Sequence, residues 1–435
     1  MPVPTARLAV LAAILSVVVV AVPIEPPTGI VLATVAWMAA GIIDWALAPA
    51  PARVDVERLL PGAVSLGTVG EVEWTIRNPL RRSLRVAISD ELAPSLHAVR
   101  RRVQVTLPAR GTARARTTIT PARRGRFEPS EIVVRVEGPL RLAAKQKARS
   151  VPGVLRVFPS FRSRDEAELR INKARILEVG LRSAQGRGGG TEFDSLREYH
   201  SDDDFRRIDW SATARRGKAI VRTYRAERNQ TVLLLLDGGR VMAGRVDGVP
   251  RLEHAMDAVM ALTTVATRLG DRAGLVAFDR EVRAVVPPGH SRNQLARVTE
   301  ALYQLEPELV ESDYRGAFTE TLVRFRRRAL LVVFSELAEQ AVMEGLLPAL
   351  PMIVRHHLVV VASVRDPDVV GWAEASPADA SEAYRKAAAA AAVEERRRVI
   401  HRLRGLGATV VDERPGALAG ALADAYLRSK ATGRL

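Results

Sequence analysis

Two uncharged runs open the chain. Leu8–Val22 reads LAVLAAILSVVVVAV, and Thr28–Ile43 is again free of charge, with Pro23-Ile-Glu-Pro-Pro27 between them. A spanning helix takes about 20 apolar residues, within a range of about 17–25. Each run reaches that length only with its flanks, Pro4–Arg7 and Trp45–Ala48. The Pro-rich link turns the chain between two antiparallel spans. A cleaved signal peptide with Leu8–Val22 as its apolar core is the competing reading; a second apolar run so soon afterwards favours a hairpin. Arg7 precedes the first run and many Arg follow the second, whereas the link has Glu25 and no Lys or Arg. That charge pattern predicts an inner-membrane hairpin of two spans, with both termini and the soluble domains cytoplasmic.

The period then changes. VEWTIRN (72–78), LRVAIS (84–89), VQVTL (103–107), ARARTTIT (113–120) and IVVRVEG (132–138) alternate with period two or are rich in β-branched residues. Pro- and Gly-containing turns separate them, which predicts a small antiparallel sandwich. VLRVFPS (154–160) predicts a short strand, Asp165–Val179 a helix, and Ser183–Gly190 a loop. From residue 231 onward, strands alternate with helices. TVLLLLD (231–237), AGLVAFD (273–279), VRAVVP (282–287), ALLVVFS (329–335), HLVVVASV (357–364) and ATVVD (408–412) are the strands. Between and after them Leu252–Leu269, Asn293–Leu305, Tyr314–Arg327, Glu382–Leu406 and Ala417–Ser429 have helical periodicity. Alternation of this kind predicts a parallel sheet covered by helices on both faces, with ligands at the carboxyl ends of its strands. The predicted organisation is a two-helix membrane anchor (1–50), a β-sandwich (51–150), a connector with a charged segment (151–228) and an α/β, Rossmann-like domain (229–435).

Charge sharpens the picture. The net charge is +16, and residues 51–150 alone contribute +11, from 20 Lys/Arg against 9 Asp/Glu. A basic surface directly after an apolar hairpin is drawn to anionic membrane lipids; nucleic-acid binding through the same region is the alternative. The chain has no cysteine, which excludes disulfides, zinc–cysteine sites and thiol catalysis. No phosphate-binding loop of the Gly-x4-Gly-Lys-Ser/Thr type occurs, so ATP hydrolysis by that route is not expected. Within the long C-terminal helix, Glu394–Arg398 reads as a solvated face.

Two groups of residues carry candidate chemistry. Asp237 closes the first strand of the α/β region. A strand-end carboxylate with serines two and four residues later can hold a divalent cation through hard oxygens, but those positions are Gly239 and Val241. Ser312 and Glu336, on later loops, can approach the same point. Asp237, Ser312 and Glu336 are thus either a reduced magnesium site or the vestige of one, with Asp237 capping the next helix. The order of Asp237, DRAGLVAFDREV (271–282) and SDYRGAF (312–318) resembles the von Willebrand factor A domain.

The second group is residues 191–228, with nine Lys/Arg and eight Asp/Glu in 38 positions interleaved with Phe193, Tyr199, Phe205, Ile208 and Trp210. Disordered charged tracts are poor in such apolar anchors. Asp209 and Arg206 can pair, and Trp210 can anchor the loop in an apolar pocket. The segment either braces the sandwich against the α/β domain or contacts a partner. Arg197-Glu198-Tyr199, Asp202-Asp203-Asp204, Arg206-Arg207-Ile208-Asp209-Trp210, Ala214-Arg215 and Val221-Arg222 resemble the signature of the bacterial family called domain of unknown function 58, with Asp202 where the family has Gly. The resemblance implies a non-enzymatic scaffold or adaptor working with a MoxR-type AAA+ ATPase, the signature residues being its contact surface. A metal-dependent hydrolase using Asp203, Asp209 and Asp237 is the enzymatic alternative; no nucleophile or histidine companion accompanies those carboxylates.

Overall fold

The computed structural model describes residues 2–22, 25–185, 192–200, 203, 205–225 and 229–432. Most of the predicted Ser183–Gly190 loop, and Asp202 and Asp204 of the charged segment, lie outside the described residues. The chain forms two compact units, Met1–Phe158 and Pro159–Leu435.

The first unit joins the apolar hairpin to the sandwich. The two helices are Ala6–Ala21 and Pro26–Leu47. Residues Pro26–Arg53 are long and apolar enough to cross a membrane, at a mean hydropathy of 1.9; Ala6–Ala21 is a shorter apolar helix. They run antiparallel and close together: the Trp37 indole donates to the Leu8 carbonyl at 2.9 Å, and Gly41 faces the Leu8 side chain.

The lower end of the hairpin is fastened to the sandwich. Asp44 is fully buried, and its carboxylate accepts the amides of Leu140 (2.7 Å), Leu142 (2.7 Å) and Ala143 (2.9 Å). Gly138 makes room for it, since a Cβ there would lie 2.5 Å from the Asp44 carboxylate. Lys145 donates to the carbonyls of Ala46 and Ala48, and Arg82 to that of Leu47, neutralising the negative end of the helix dipole. On the other side of the hairpin, Pro2–Pro4 pairs antiparallel with Ala143–Lys145, and Thr5 donates to the Leu142 carbonyl.

The five strands expected between residues 72 and 138 all form: Gly70–Arg77, Leu84–Asp90, Arg102–Leu107, Thr112–Ile119 and Glu131–Glu137. Their inward residues, among them Trp74, Ile76, Val86, Ile88, Val134 and Val136, make the core. Leu155–Phe158 pairs parallel with Ala63–Ser65 and closes the sandwich. One ion pair crosses the core: Arg58 meets Asp90 at 2.5 Å with both side chains inaccessible, and the Trp74 indole donates to the other Asp90 oxygen at 2.6 Å.

The second unit is built on a six-stranded sheet in the order Val282–Gly289, Arg272–Phe278, Thr231–Asp237, Leu330–Phe334, Leu358–Val364, Thr409–Glu413. Only the Val282–Gly289 pairing is antiparallel. Thr231–Asp237 is central because its residues are apolar on both faces. Val232, Leu234 and Leu236 pack into one core with the helices Arg251–Arg268 and Leu418–Ala431, while Leu233 and Leu235 pack into the other with Phe318, Leu350 and Leu403. The Arg164–Gln185 helix joins the first of these cores through Ala167 and Ile171, and Arg170 pairs with Asp424 at 3.1 Å. Residues 159–176, read as connector, are therefore a layer of this unit.

Candidate functional site

The charged segment folds as a hairpin with an inserted helix. Glu192–Glu198 pairs antiparallel with Ile220–Arg225. Trp210–Arg216 forms a short helix between them, begun by Asp209 and ended by Gly217 in the left-handed conformation at φ 68°. Asp209 does two jobs. One oxygen accepts the Ala212 amide at 3.0 Å, capping the helix, and the other accepts Arg222 Nε at 2.8 Å. The Ala212 cap first, and the Arg222 bond after it, hold the Asp209 carboxyl below its ordinary range. Arg197 forks onto Asp203 at 2.9 and 2.5 Å, and the same carboxylate accepts the His200 amide. Glu198 takes Lys218 at 2.9 Å across the exposed rim. Ile208, Ala212, Ile220 and Val221 make a small buried centre, and the Tyr199 amide donates to the Ala219 carbonyl. Arg215 stands exposed, its Nε donating one turn back to the Ser211 carbonyl.

Two expectations change here. Asp209 pairs with Arg222, thirteen residues on across the hairpin, and not with Arg206, because its oxygens point to the helix start and the opposite strand. Trp210 is not seated in an apolar pocket. It is 61% exposed, and Phe205 beside it is 64% exposed, the two rings packed edge to face at 5.6 Å.

At the sheet end, Asp237 is fully buried. Its Oδ1 accepts the Gly239 amide (2.8 Å) and Ser312 Oγ (2.5 Å); its Oδ2 accepts Tyr314 Oη (2.6 Å) and Ser335 Oγ (2.7 Å). Burial, then the neighbouring Asp237 charge, raises the Tyr314 phenol well above its ordinary value. Asp237 and Ser312 thus come together as expected, joined by Tyr314 and Ser335. Glu336 does not join them. It turns to Arg396 (2.5 Å), Arg251 (3.0 Å) and Ser363 (3.0 Å).

Arg396 also forks onto Asp412 at 3.0 and 2.7 Å. It is therefore not part of a solvated face. Burial opposes its charge, but Asp412 and Glu336 outweigh burial and hold the guanidinium above its ordinary value. The signal missed was spacing: Arg396 lies three and seven residues before Val399 and Leu403, on the buried stripe of its helix.

These residues do not fit a divalent cation. Magnesium and calcium want about six oxygens with free lone pairs. Here one carboxylate is saturated by four protein donors, and a Cβ at Gly239 would sit 2.1 Å from Ser312 Oγ, so a serine has no room there. Among the described residues no group of three or more His, Asp or Glu could hold a metal. The adjoining cavity, lined by Ser312, Tyr314, Glu311 and Glu344, has a volume of ≈ 230 Å³, below the roughly 300–1,000 Å³ of small-molecule sites. Of the three carboxylates a hydrolase would use, Asp203 is bound by Arg197, Asp209 by Arg222 and Asp237 by hydroxyls.

Residues 195–391 match the family described as Protein of unknown function DUF58. The chain carries a DUF58 domain. The DUF58 domain takes in the hairpin, Asp237 and its hydroxyl donors, Glu336 and the first half of the Ala380–Gly405 helix; it stops short of the Thr409–Glu413 strand. No curated protein matches the chain. Among solved structures, it is similar to the CARDB domain of PF1109 from Pyrococcus furiosus as determined by solution NMR, at 14% identity over 24% of this chain and 94% of that one, with a TM-score of 0.17. The crystal structure of that domain in complex with di-metal ions gives 14% identity over 26% of this chain and 90% of that one, again at 0.17. Scores this low carry neither fold nor function across.

The buried tyrosines of this unit give a direct check. Tyr426 donates to Asp271, and burial followed by that charge raises its phenol as it does that of Tyr314. Both folded values lie above the unfolded value near 10. The stability they contribute is therefore complete below pH ~10 and is lost as pH rises beyond it. Spectrophotometric titration of the six tyrosines should leave at least two un-ionised until the protein unfolds. Reversible ionisation of all six in the folded protein would contradict this geometry.

Proposed function

We propose that the chain is a membrane-tethered cytoplasmic adaptor that binds other proteins and carries out no reaction. The apolar hairpin is the tether: two spans, with the sandwich at the inner leaflet and its basic surface toward anionic lipids. The second unit is the recognition head, a von Willebrand factor A-like domain in which hydroxyl donors replace the cation at Asp237. A MoxR-type AAA+ ATPase is the partner we favour, on the family resemblance of the 196–227 segment.

One observation carries this reading. Phe205 and Trp210 are exposed large rings held on a frame that two ion pairs and a capped helix make rigid. Exposed aromatics on an ordered scaffold are the residue types that dominate protein interfaces. Among the described residues, Asp203, Asp209 and Glu198 are engaged by cations and Asp237 by hydroxyls, which favours binding over acid–base chemistry.

The test is purification of the full chain from native membranes with nucleotide present, beside Phe205→Ala/Trp210→Ala. The wild type should retain an ATPase, and the double variant should lose it by at least tenfold while melting at the same temperature. Recovery of no ATPase by folded wild type, or equal recovery by both, would remove the proposal.

A further inference from the structure

We propose that the open edge of the Thr409–Glu413 strand is a docking groove for an extended acidic segment of a partner protein, which adds to the sheet as a seventh strand. This rests on the binding-protein reading above and names a second contact surface for it.

Thr409–Glu413 is the last strand in the sheet order, paired only with Leu358–Val364. The Glu413 carbonyl accepts the Arg365 amide. Backbone groups alternate along a strand, so Val410 and Asp412 turn their N–H and C=O away from the sheet. Both faces of the strand are covered, since Val410 packs with Val399 and Leu403 and Val411 with Leu418 and Leu422. The edge itself opens into a groove of ≈ 570 Å³.

The groove is asymmetric in charge. Arg397, His401 and Arg404 share one face of the Ala380–Gly405 helix and line one wall; Arg428 lines the other, from Leu418–Ala431. The carboxylates in the groove are already paired: Asp412 with Arg396, Asp424 with Arg170 and Glu413 with Arg365. Among the described residues no carboxylate pairs with Arg404 or Arg428, and both are exposed. The groove therefore offers free strand edge and uncompensated positive charge. An extended acidic segment meets both by strand addition. A second copy of this chain does not, because edge-to-edge pairing would set the arginine walls against each other. Apart from Arg365, the groove lies beyond residue 391, where the family match ends.

The test uses full-length protein in detergent micelles and a fluorescent, acetylated octapeptide of alternating Glu and Val, read by anisotropy. Binding should saturate, and it should weaken at least tenfold in Arg404→Glu/Arg428→Glu, which alters only exposed side chains and should leave the melting temperature unchanged. Methylating every second peptide amide, which blocks strand pairing and keeps the charge, should also weaken it at least tenfold. No saturable binding, or equal binding by the Lys/Val peptide, would overturn the proposal, as would equal binding by the methylated peptide or by the double variant. Phe205→Ala/Trp210→Ala should bind the octapeptide normally. Loss of octapeptide binding there would also overturn a separate groove, whereas loss of the ATPase alone bears on the adaptor reading.

Discussion

Asp44→Ala should release the apolar hairpin from the sandwich. The buried carboxylate is the common acceptor for the Leu140, Leu142 and Ala143 amides, and Lys145, Arg82 and Thr5 add bonds around it. Removing it leaves the Leu140, Leu142 and Ala143 N–H groups without their shared acceptor. Hydrogen bonds to a charged group contribute about 1.5–3 kcal/mol each, and orphaned buried donors cost more than the average bond. With partial relaxation, a total of about 3–5 kcal/mol is expected. Hydrogen exchange in micelles should show it locally: the Leu140–Ala143 amides exchange at least a hundredfold faster, while Val134 and Val136 in the sandwich core keep most of their protection. Asp44→Asn retains one acceptor oxygen and should fall between. Unchanged exchange in the alanine variant would mean that the hairpin is held elsewhere.

Asp237→Ala should be equally costly for the second unit, and metal should not rescue it. The substitution removes the only acceptor that three hydroxyls and the Gly239 amide share, and leaves a cavity at the carboxyl end of the central strand. About 3–5 kcal/mol is expected from unsatisfied donors together with lost packing. Tyr314→Phe leaves Oδ2 with the Ser335 donor alone and should cost about 1–3 kcal/mol. Chemical denaturation of the full chain measures both. Magnesium at 10 mM should shift neither the wild type nor Tyr314→Phe, because a ligand that binds only the folded state must raise its melting point. A magnesium-dependent rise in the wild type would sink the view that hydroxyls have replaced a cation here.

Much of this was legible from residue patterns. Period-two alternation located the five central sandwich strands, and the uninterrupted LLLL of 233–236 marked a strand buried on both faces. Asp237 and Ser312 were legible as a pair because each follows a strand or loop that opens on the same sheet end. Other features were not. The Ala143–Ser150 strand is polar, with Lys145, Gln146, Lys147 and Arg149; it is a strand because Glu131–Glu137 and Pro2–Pro4 pair with its backbone from both sides. Backbone pairing leaves no mark on side-chain type. Glu336 was misplaced because its cation, Arg396, stands 60 residues later inside a run that looks solvated. Trp210 stands exposed, against the expectation for a large aromatic, because its ring packs on Phe205, which is itself exposed.

Pro2–Pro4 pairs with residues made about 140 positions later. At roughly 5–20 residues per second of synthesis, the first strand waits on the order of 7–30 s for its partner to leave the ribosome. Through that interval Pro2–Pro4 has no strand to pair with, and the edge of Ala143–Lys145 is closed only when the two meet. Joining the first strand to this sheet is thus a late step, which holds the start of the apolar hairpin to the sandwich only after residues 143–145 have been made.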